Sequence, residues 1–307
     1  MSGSAGRIVL VLLSTATWAA AQPAEVSNFG PAIDLAGFRY RRSIPPGPPG
    51  LVALPLDPAV LAHSQGPAAK FADLRVVDDR GRQIPYVLER RVEPLSVDLH
   101  VRSTTPRVRQ LREDTAGTRS IYALLLPYPN LPDSTVVLET SDHVFRRIVQ
   151  IGVEREPDRR HRDPWFEVLA SSRWQHTGQD TPAPPFEAAI APGTATELLL
   201  IVEEGDNQPL AISAARLLLP SWRVRLFRPD GRLHLVYGKN DAAAPEYDLA
   251  LLKSTIMRDQ AREISAGPEE AAAAVPRAVL SPAMFWAGLS VAVLVLLALI
   301  VRLLKTT

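Results

Sequence analysis

The sequence predicts an all-β protein: two β-sandwich domains of jelly-roll or immunoglobulin-like type, followed by one C-terminal transmembrane helix. Three observations carry this. Short apolar runs alternate with turn residues from Ser27 to about Leu252, the pattern of successive strands. Proline outnumbers glycine, 28 to 17, and helix interiors reject proline where edge strands and long connections accept it. The uncharged stretch from Ala278 to Val301 is long enough to cross a bilayer as a helix, which needs about 20 residues.

The elements follow in order. Arg7 precedes the apolar run Ile8–Leu13, and Ala19, Ala20 and Ala21 stand just before Gln22-Pro23. A basic start, an apolar run and small residues at a cleavage point form a secretory signal peptide over residues 1–21. The run is too short to span roughly 30 Å of hydrocarbon. Residues 22–130 then read as an N-terminal sandwich and 131–252 as a second, with Pro127–Pro132 as the boundary. Residues 253–282 read as a short helix and an Ala/Pro-rich stalk, 283–304 as the transmembrane helix and 305–307 as a cytoplasmic tail. Trp286 at the outer end and Arg302 and Lys305 at the inner end suit the two interfaces of a membrane. The expected location is the bacterial inner membrane, single-pass, with the N-terminal region exported to the periplasm.

Within the exported region, Leu74–Val77 and Ile84–Leu88 flank Asp78-Asp79-Arg80-Gly81. Likewise Arg223–Phe227 and Leu233–Tyr237 flank Arg228-Pro229-Asp230-Gly231-Arg232. Each reads as a hairpin with its glycine at the tight position. Ile121–Leu126, Thr135–Leu138, Arg147–Ile151 and Leu198–Val202 supply further strands. From Arg147 to Glu154, apolar and other side chains alternate as in a half-buried strand, while the unbroken run Leu198–Val202 suits a sandwich interior. Asp248 to Ile264 carries helix-compatible apolar spacing at Leu249, Leu252, Ile256, Ala261 and Ile264.

Composition excludes several functions. With 46% hydrophobic and 22% charged residues, the chain is of the folding kind. A formal net charge of +1 provides no field to steer nucleic acid. The absence of cysteine removes disulfides, zinc thiolates, iron–sulfur clusters and thiol nucleophiles. The six histidines, His63, His100, His143, His161, His176 and His234, lack the spacing that makes three or four ligands converge on zinc. No G-x-S-x-G elbow occurs, and Ser141 beside Asp142-His143 consists of sequence neighbours, which a strand points to opposite faces. No catalytic residue is assigned.

Three stretches leave binding chemistry open. The acidic turn Glu203-Glu204-Gly205-Asp206-Asn207 offers hard oxygen ligands suited to calcium, or is an Asx-type turn with its acids in solvent. Arg155 to Pro164 is basic but interleaved with acids; it fits phosphate head groups or an anionic glycan, or is a solvated loop of local ion pairs. The aromatics gather in the second half, and Trp165, Trp174, Trp222 and Tyr247 are the candidate ligand-binding residues. An exposed ring stacks on the apolar face of a sugar; a buried one is core.

The chain resembles a bacterial family catalogued as domain of unknown function 3999. The resemblance lies in Ala72-Asp73-Leu74-Arg75-Val76 with Ile84-Pro85-Tyr86, and in Phe145-Arg146-Arg147 leading to Trp165. It continues in Gly205-Asp206-Asn207-Gln208-Pro209-Leu210, and in Tyr237-Gly238-Lys239-Asn240 followed by Ala244-Pro245-Glu246-Tyr247-Asp248-Leu249. It spans about residues 35–255 together with both terminal apolar segments, and it implies an envelope location without bringing an activity. The Gly-Asp-Asn and Pro-x-Tyr-Asp stretches also look like turns of galactose-binding-type jelly rolls, an analogy of fold alone. The expectation is a non-enzymatic binding or accessory subunit of an envelope complex, with a carbohydrate-binding module as alternative and a hydrolase of envelope material behind both. Its expected partners are the bilayer, an integral membrane protein and a glycan, not nucleic acid.

Overall fold

A computed structural model describes residues 29–113 and 118–272, together with positions 286 and 290. The expected signal peptide lies outside the described residues, as does the expected transmembrane helix apart from Trp286 and Ser290. Among the described residues, no helix is long and apolar enough to cross a membrane.

Along the chain run β1 (Tyr40–Ile44), β2 (Gly50–Leu56), α1 (Pro58–His63), β3 (Arg75–Asp78) and β4 (Tyr86–Arg90). Then come β5 (Leu95–Asp98), β6 (His100–Ser103), α2 (Arg109–Glu113), β7 (Thr118–Leu125), β8 (Ser134–Thr140), β9 (Phe145–Arg155) and β10 (Trp165–His176). β11 (Phe186–Ile190), β12 (Glu197–Gly205), β13 (Ile212–Leu219), β14 (Trp222–Arg228) and β15 (Leu233–Tyr237) follow. A 3-10 turn (Asp248–Leu252), α3 (Lys253–Arg258), β16 (Arg262–Glu263) and β17 (Glu270–Ala271) complete the described chain.

The fold is predominantly β, as expected, and the strands of the described residues form four sheets. Their pairing is nested. One sheet has the order β17-β1-β15-β3 and a second β16-β2-β14-β4; both draw strands from the two ends of the described residues. The segment between them builds the other two, β10-β9-β12-β7-β6 and β11-β8-β13-β5. The first two sheets are the outer pair and the last two the inserted pair. The insertion begins and ends at one place, where the Arg91 amide donates to Ser221 O at 2.9 Å and Leu219 pairs with Leu95. A linear division at 130/131 is therefore not followed by the strand pairing: β14 and β15 return to the sheets of β1–β4.

Of the two expected hairpins, the first is cut short after Ile84 and the second is corrected. β3 pairs with β15 while β4 pairs with β14, and β14 and β15 themselves lie in different sheets. The turns form where expected: the Gly81 amide donates to Asp78 O at 3.0 Å, and Gly231 has φ of +101°. At the first turn the chain pairs back only as far as Ile84, the Asp78 amide donating to Arg82 O at 3.0 Å and the Ile84 amide to Val76 O at 2.8 Å, and then crosses between sheets; after the second, β15 lies in a different sheet from β14. Pro85 enforces the first crossing, since it has no amide to extend a ladder on β3. Arg228 enforces the second by donating to Gly231 O at 2.9 Å and to Pro45 O.

Local chemistry explains the elements. Asp57 caps α1 by accepting from the Val60 amide at 3.2 Å, with proline in the first turn, where its missing amide costs nothing. In β9, Phe145, Arg147, Val149, Ile151 and Val153 are buried while Arg146 and Ile148 are exposed. One continuous apolar cluster, from Ile44 and Leu54 through Leu124 and Leu138 to Leu200 and Leu217, runs through all four sheets.

The helix-compatible stretch Asp248–Ile264 forms the 3-10 turn and α3, which ends at Arg258. Residues 262–272 form a strap across one side of the outer pair. β16 lies parallel to β2 and Ile264 N–H donates to Ala53 O at 2.9 Å. Gly267 N–H then reaches Ser43 O at 2.7 Å, and Ala272 N–H reaches Arg39 O at 2.8 Å. The strap has no core of its own, so it borrows the free edges of β2 and β1.

Candidate functional site

The four candidate aromatics lie in separate places. Trp174 is core, which overturns its reading as a stacking platform: it is 4% exposed, set edge-on to Phe145 at 5.2 Å, with its indole N–H donating to Pro184 O at 3.0 Å. The strand alternation is the cause, since neighbouring Arg173 and Gln175 are exposed. Trp165 is half-buried and stacks on the His161 ring at 4.3 Å. Trp222 and Tyr247 are half-buried and each lines a cavity.

The Trp222 cavity, about 670 Å³, sits at the seam between outer and inserted sheets. Its walls include Leu61, Gln65, Arg90, Asn130, Asp133 and Trp222. Arg90 is the ladder partner of Trp222, and Asn130 and Asp133 come from the proline-rich stretch that the sequence marks as a boundary. Among the described residues, the side chains of Arg90, Asn130 and Asp133 engage no internal partner. Glu89, next in β4, is bound by the Arg223 guanidinium at 2.6 and 2.7 Å, and that bond holds its carboxyl below the usual range.

Backbone strain gathers around this cavity. Among the described residues, the non-glycine positions with left-handed backbone are Lys70 (φ +52°), Phe71 (φ +52°) and Asn130 (φ +59°). Such conformations cost about 1–3 kcal/mol each and persist where the surroundings enforce them. Phe71 is fully buried and packs edge-on against Trp222 at 5.6 Å. Its amide donates to Gly66 O at 2.8 Å, and Gly66 lines the cavity.

The second cavity, about 640 Å³, is lined by Phe29, Phe227, Tyr247, Leu249 and Leu252 with Glu246 and Asp248 among its walls. The Tyr247 hydroxyl donates to Gln83 Oε1 at 3.0 Å, its ring lies edge-on to Tyr86 at 5.2 Å, and burial pushes its hydroxyl up to about 12.

The stretches that carry the family resemblance meet one another in space as two latches. In the outer pair, fully buried Asp73 accepts from the Gly238 amide at 2.6 Å and the Gln65 amide at 2.8 Å. Arg75 donates to Ala72 O, Leu74 O and Ala243 O at 2.8, 2.7 and 2.6 Å, and the Tyr86 hydroxyl donates to Leu74 O at 2.7 Å. Gly238 has φ of +87°, and a Cβ there would stand 2.7 Å from the Tyr40 ring. In the inserted pair, Arg147 Nε donates to Glu204 Oε2 at 2.6 Å, with both side chains buried. Arg147 also donates to Gln208 O at 3.1 Å, and Glu204 accepts from the Leu210 amide at 3.1 Å.

The second latch includes the acidic turn. Glu204 points inward to Arg147, Glu203 lies 3.8 Å from Arg119, and Asn207 Nδ2 donates to Glu204 O at 2.9 Å. With Gly205 at φ +61°, the chain turns tightly here, and Glu204 is buried on Arg147 where an acid facing solvent was expected. Among the described residues, no group of three His, Asp or Glu side chains is placed to hold a metal ion.

One junction was not foreseen. The Glu269 carboxylate of the strap accepts from His63 Nδ1 at 2.9 Å and from the Tyr237 hydroxyl at 2.5 Å. The His63 ring stacks on Tyr40 at 4.5 Å and meets Tyr128 edge-on at 5.2 Å. Burial, then the bond to Glu269, push the Tyr237 hydroxyl far above the usual tyrosine range. Strap, outer sheets and the boundary stretch are thus joined through one imidazole. No local sequence signal announces it, because its members lie up to 206 residues apart.

Comparison of the chain with protein-family models, with curated proteins and with solved structures finds no match.

Proposed function

We propose that this chain is a non-enzymatic binding protein of the bacterial envelope, anchored in the inner membrane by its C-terminal apolar segment. On this reading, the outer and inserted sheets are two β-sandwiches held in the periplasm, and the seam cavity takes a carbohydrate. The observation that supports it best is the coincidence at one cavity of a Trp ring, three unengaged polar side chains and the strained position Asn130, with strained Phe71 packed against that Trp ring. Planar amide, carboxylate and guanidinium groups pair with sugar hydroxyls while an aromatic face covers the apolar side of the ring. Strain held at a surface cavity points to a role beyond stability.

The test is binding of the detergent-solubilised full chain to cell-wall and capsular glycans. The Arg90→Gln/Asp133→Asn variant changes two exposed side chains without touching the core. Binding that this variant weakens about tenfold or more supports the reading, since unpaired polar groups discriminate at this scale. Binding that ignores the variant, or no glycan binding at all, overturns it.

A second reading, an accessory subunit beside an integral membrane partner, draws on Leu251 and Leu252. They are 85% and 46% exposed, and Leu252 lines the Tyr247 cavity. Capture of the tagged full chain from native membranes in mild detergent tests it. A stoichiometric multi-span protein lost on Leu251→Ser supports it, and a solitary chain removes it.

A further inference from the structure

The loop from Arg155 to Trp165 closes on itself around Asp158. That carboxylate accepts from the amides of Arg160 and His161, at 2.7 Å each, and from His161 Nδ1 at 3.1 Å. The Asp158 amide donates back to His161 O at 2.9 Å, and the His161 ring rests on Trp165. The His161 amide first, then that of Arg160, hold the Asp158 carboxyl below the usual range. The neighbouring acids are occupied too. Glu154 and Glu156 are held by Arg107 at 3.1 and 2.7 Å, and Glu167 by Arg155 at 2.6 Å. What remains is Arg159, Arg160 and Arg162, all exposed and none engaged by a side-chain partner among the described residues. Against these three cations the loop offers one unengaged acid, Asp163. In sequence the charges look balanced; in the fold the acids are spent internally and the arginines are not.

The loop's position supplies the second argument. β7 and β9 are both antiparallel to β12, so Leu125 and Arg155 lie at the same end of their sheet. Just beyond Leu125, Tyr128 contacts His63, and His63 binds Glu269 of the strap. The arginine loop therefore emerges from the end of the inserted sheets that faces the chain's exit at Ala272.

We propose that Arg159, Arg160 and Arg162 dock on the phosphate head groups of the anionic bilayer that holds the chain, fixing the inserted sheets against the membrane surface. This rests on the reading of the chain as membrane-anchored. Clustered basic side chains near an anionic surface bind it through the surface potential, and salt screens that attraction. Three arginines together favour the docked over the undocked state by about 100-fold.

The chain has no cysteine, so Pro157→Cys in the exposed loop gives a unique nitroxide attachment. The labelled full chain is placed in nanodiscs of phosphatidylglycerol or of phosphatidylcholine, and access of a water-soluble relaxation agent is measured. Docking predicts protection in phosphatidylglycerol alone, lost in Arg159→Gln/Arg160→Gln/Arg162→Gln and at roughly 1 M salt, where the screening length falls to about 3 Å. Equal access in both lipids, or protection that survives the triple variant, overturns it. So does binding of free polyphosphate by a label that stays open to water in phosphatidylglycerol. A chain that enters neither nanodisc refutes the anchor instead. Docking is then read from sedimentation of the same chain with phosphatidylglycerol vesicles, present if it holds and absent if it does not.

Discussion

The outer and inserted sheets solve one problem, closing a β-rich core, in opposite ways. In the inserted pair, β9 and β10 follow one another and pair along 11 registered positions, so some ladders form between near neighbours. In the outer pair, none of β1 to β4 pairs with another of the four; every ladder they make runs through β14 or β15, or through the strap. The two strands at the centre of the outer sheets are thus supplied only after the insertion has been traversed. Long-range pairing of this kind carries a loop-closure cost before any contact rewards it.

The sharpest way to break the comparison is truncation. A chain ending at Pro220 leaves β1–β4 with no ladder among themselves, and the outer sheets are expected to be absent by amide hydrogen exchange. The excised segment 93–220 keeps both inserted sheets, and its protection pattern should survive. Loss of both halves together would show that the shared apolar cluster, rather than strand pairing, defines the folding unit.

The latches sharpen it further. Glu204→Ala leaves Arg147 buried without its partner and should cost about 3–5 kcal/mol in denaturant unfolding. Replacing both residues by apolar ones of similar volume should recover most of that. Asp73→Ala in the outer latch strands two amides and should cost about 3 kcal/mol. That loss should appear as selective deprotection of residues 237–244, because Asp73 ties a loop rather than a strand. Smallest is an acid effect. The Arg223 bond lowers the Glu89 carboxyl in the folded chain, so the pair contributes stability above the unfolded-state value near pH 4.3. That contribution is lost as pH falls through the lowered folded value. Glu89→Gln should flatten the stability curve on that acid limb and leave its shape above pH 6 unchanged.

Strand positions were legible because a period of two survives in the sequence, as at Val149, Ile151 and Val153. Pairing was not, because Asp78–Gly81 and Arg228–Arg232 form the tight turns their residues demand whether the chain pairs back or crosses. The side of Trp174 could not be counted along β10, since a register shift between Val168 and Ala170 interrupts the alternation. The acidic turn was visible, but not its partner Arg147, 57 residues earlier. The seam cavity is gathered from residues near 61–68, 90, 130–133 and 220–222, and no window of sequence holds them together.

The strap also sets how the molecule answers a pull. Tension entering at Ala272 meets β17, whose two residues lie antiparallel to β1, so its bonds are loaded one after another and part as a zipper does. The next resistance is Glu269 on His63 and Tyr237, and behind it the Gly267 amide on Ser43. Load reaches the long β1–β15 ladder only when these have opened, so the junction at His63 acts as a mechanical fuse that yields before the sheets do.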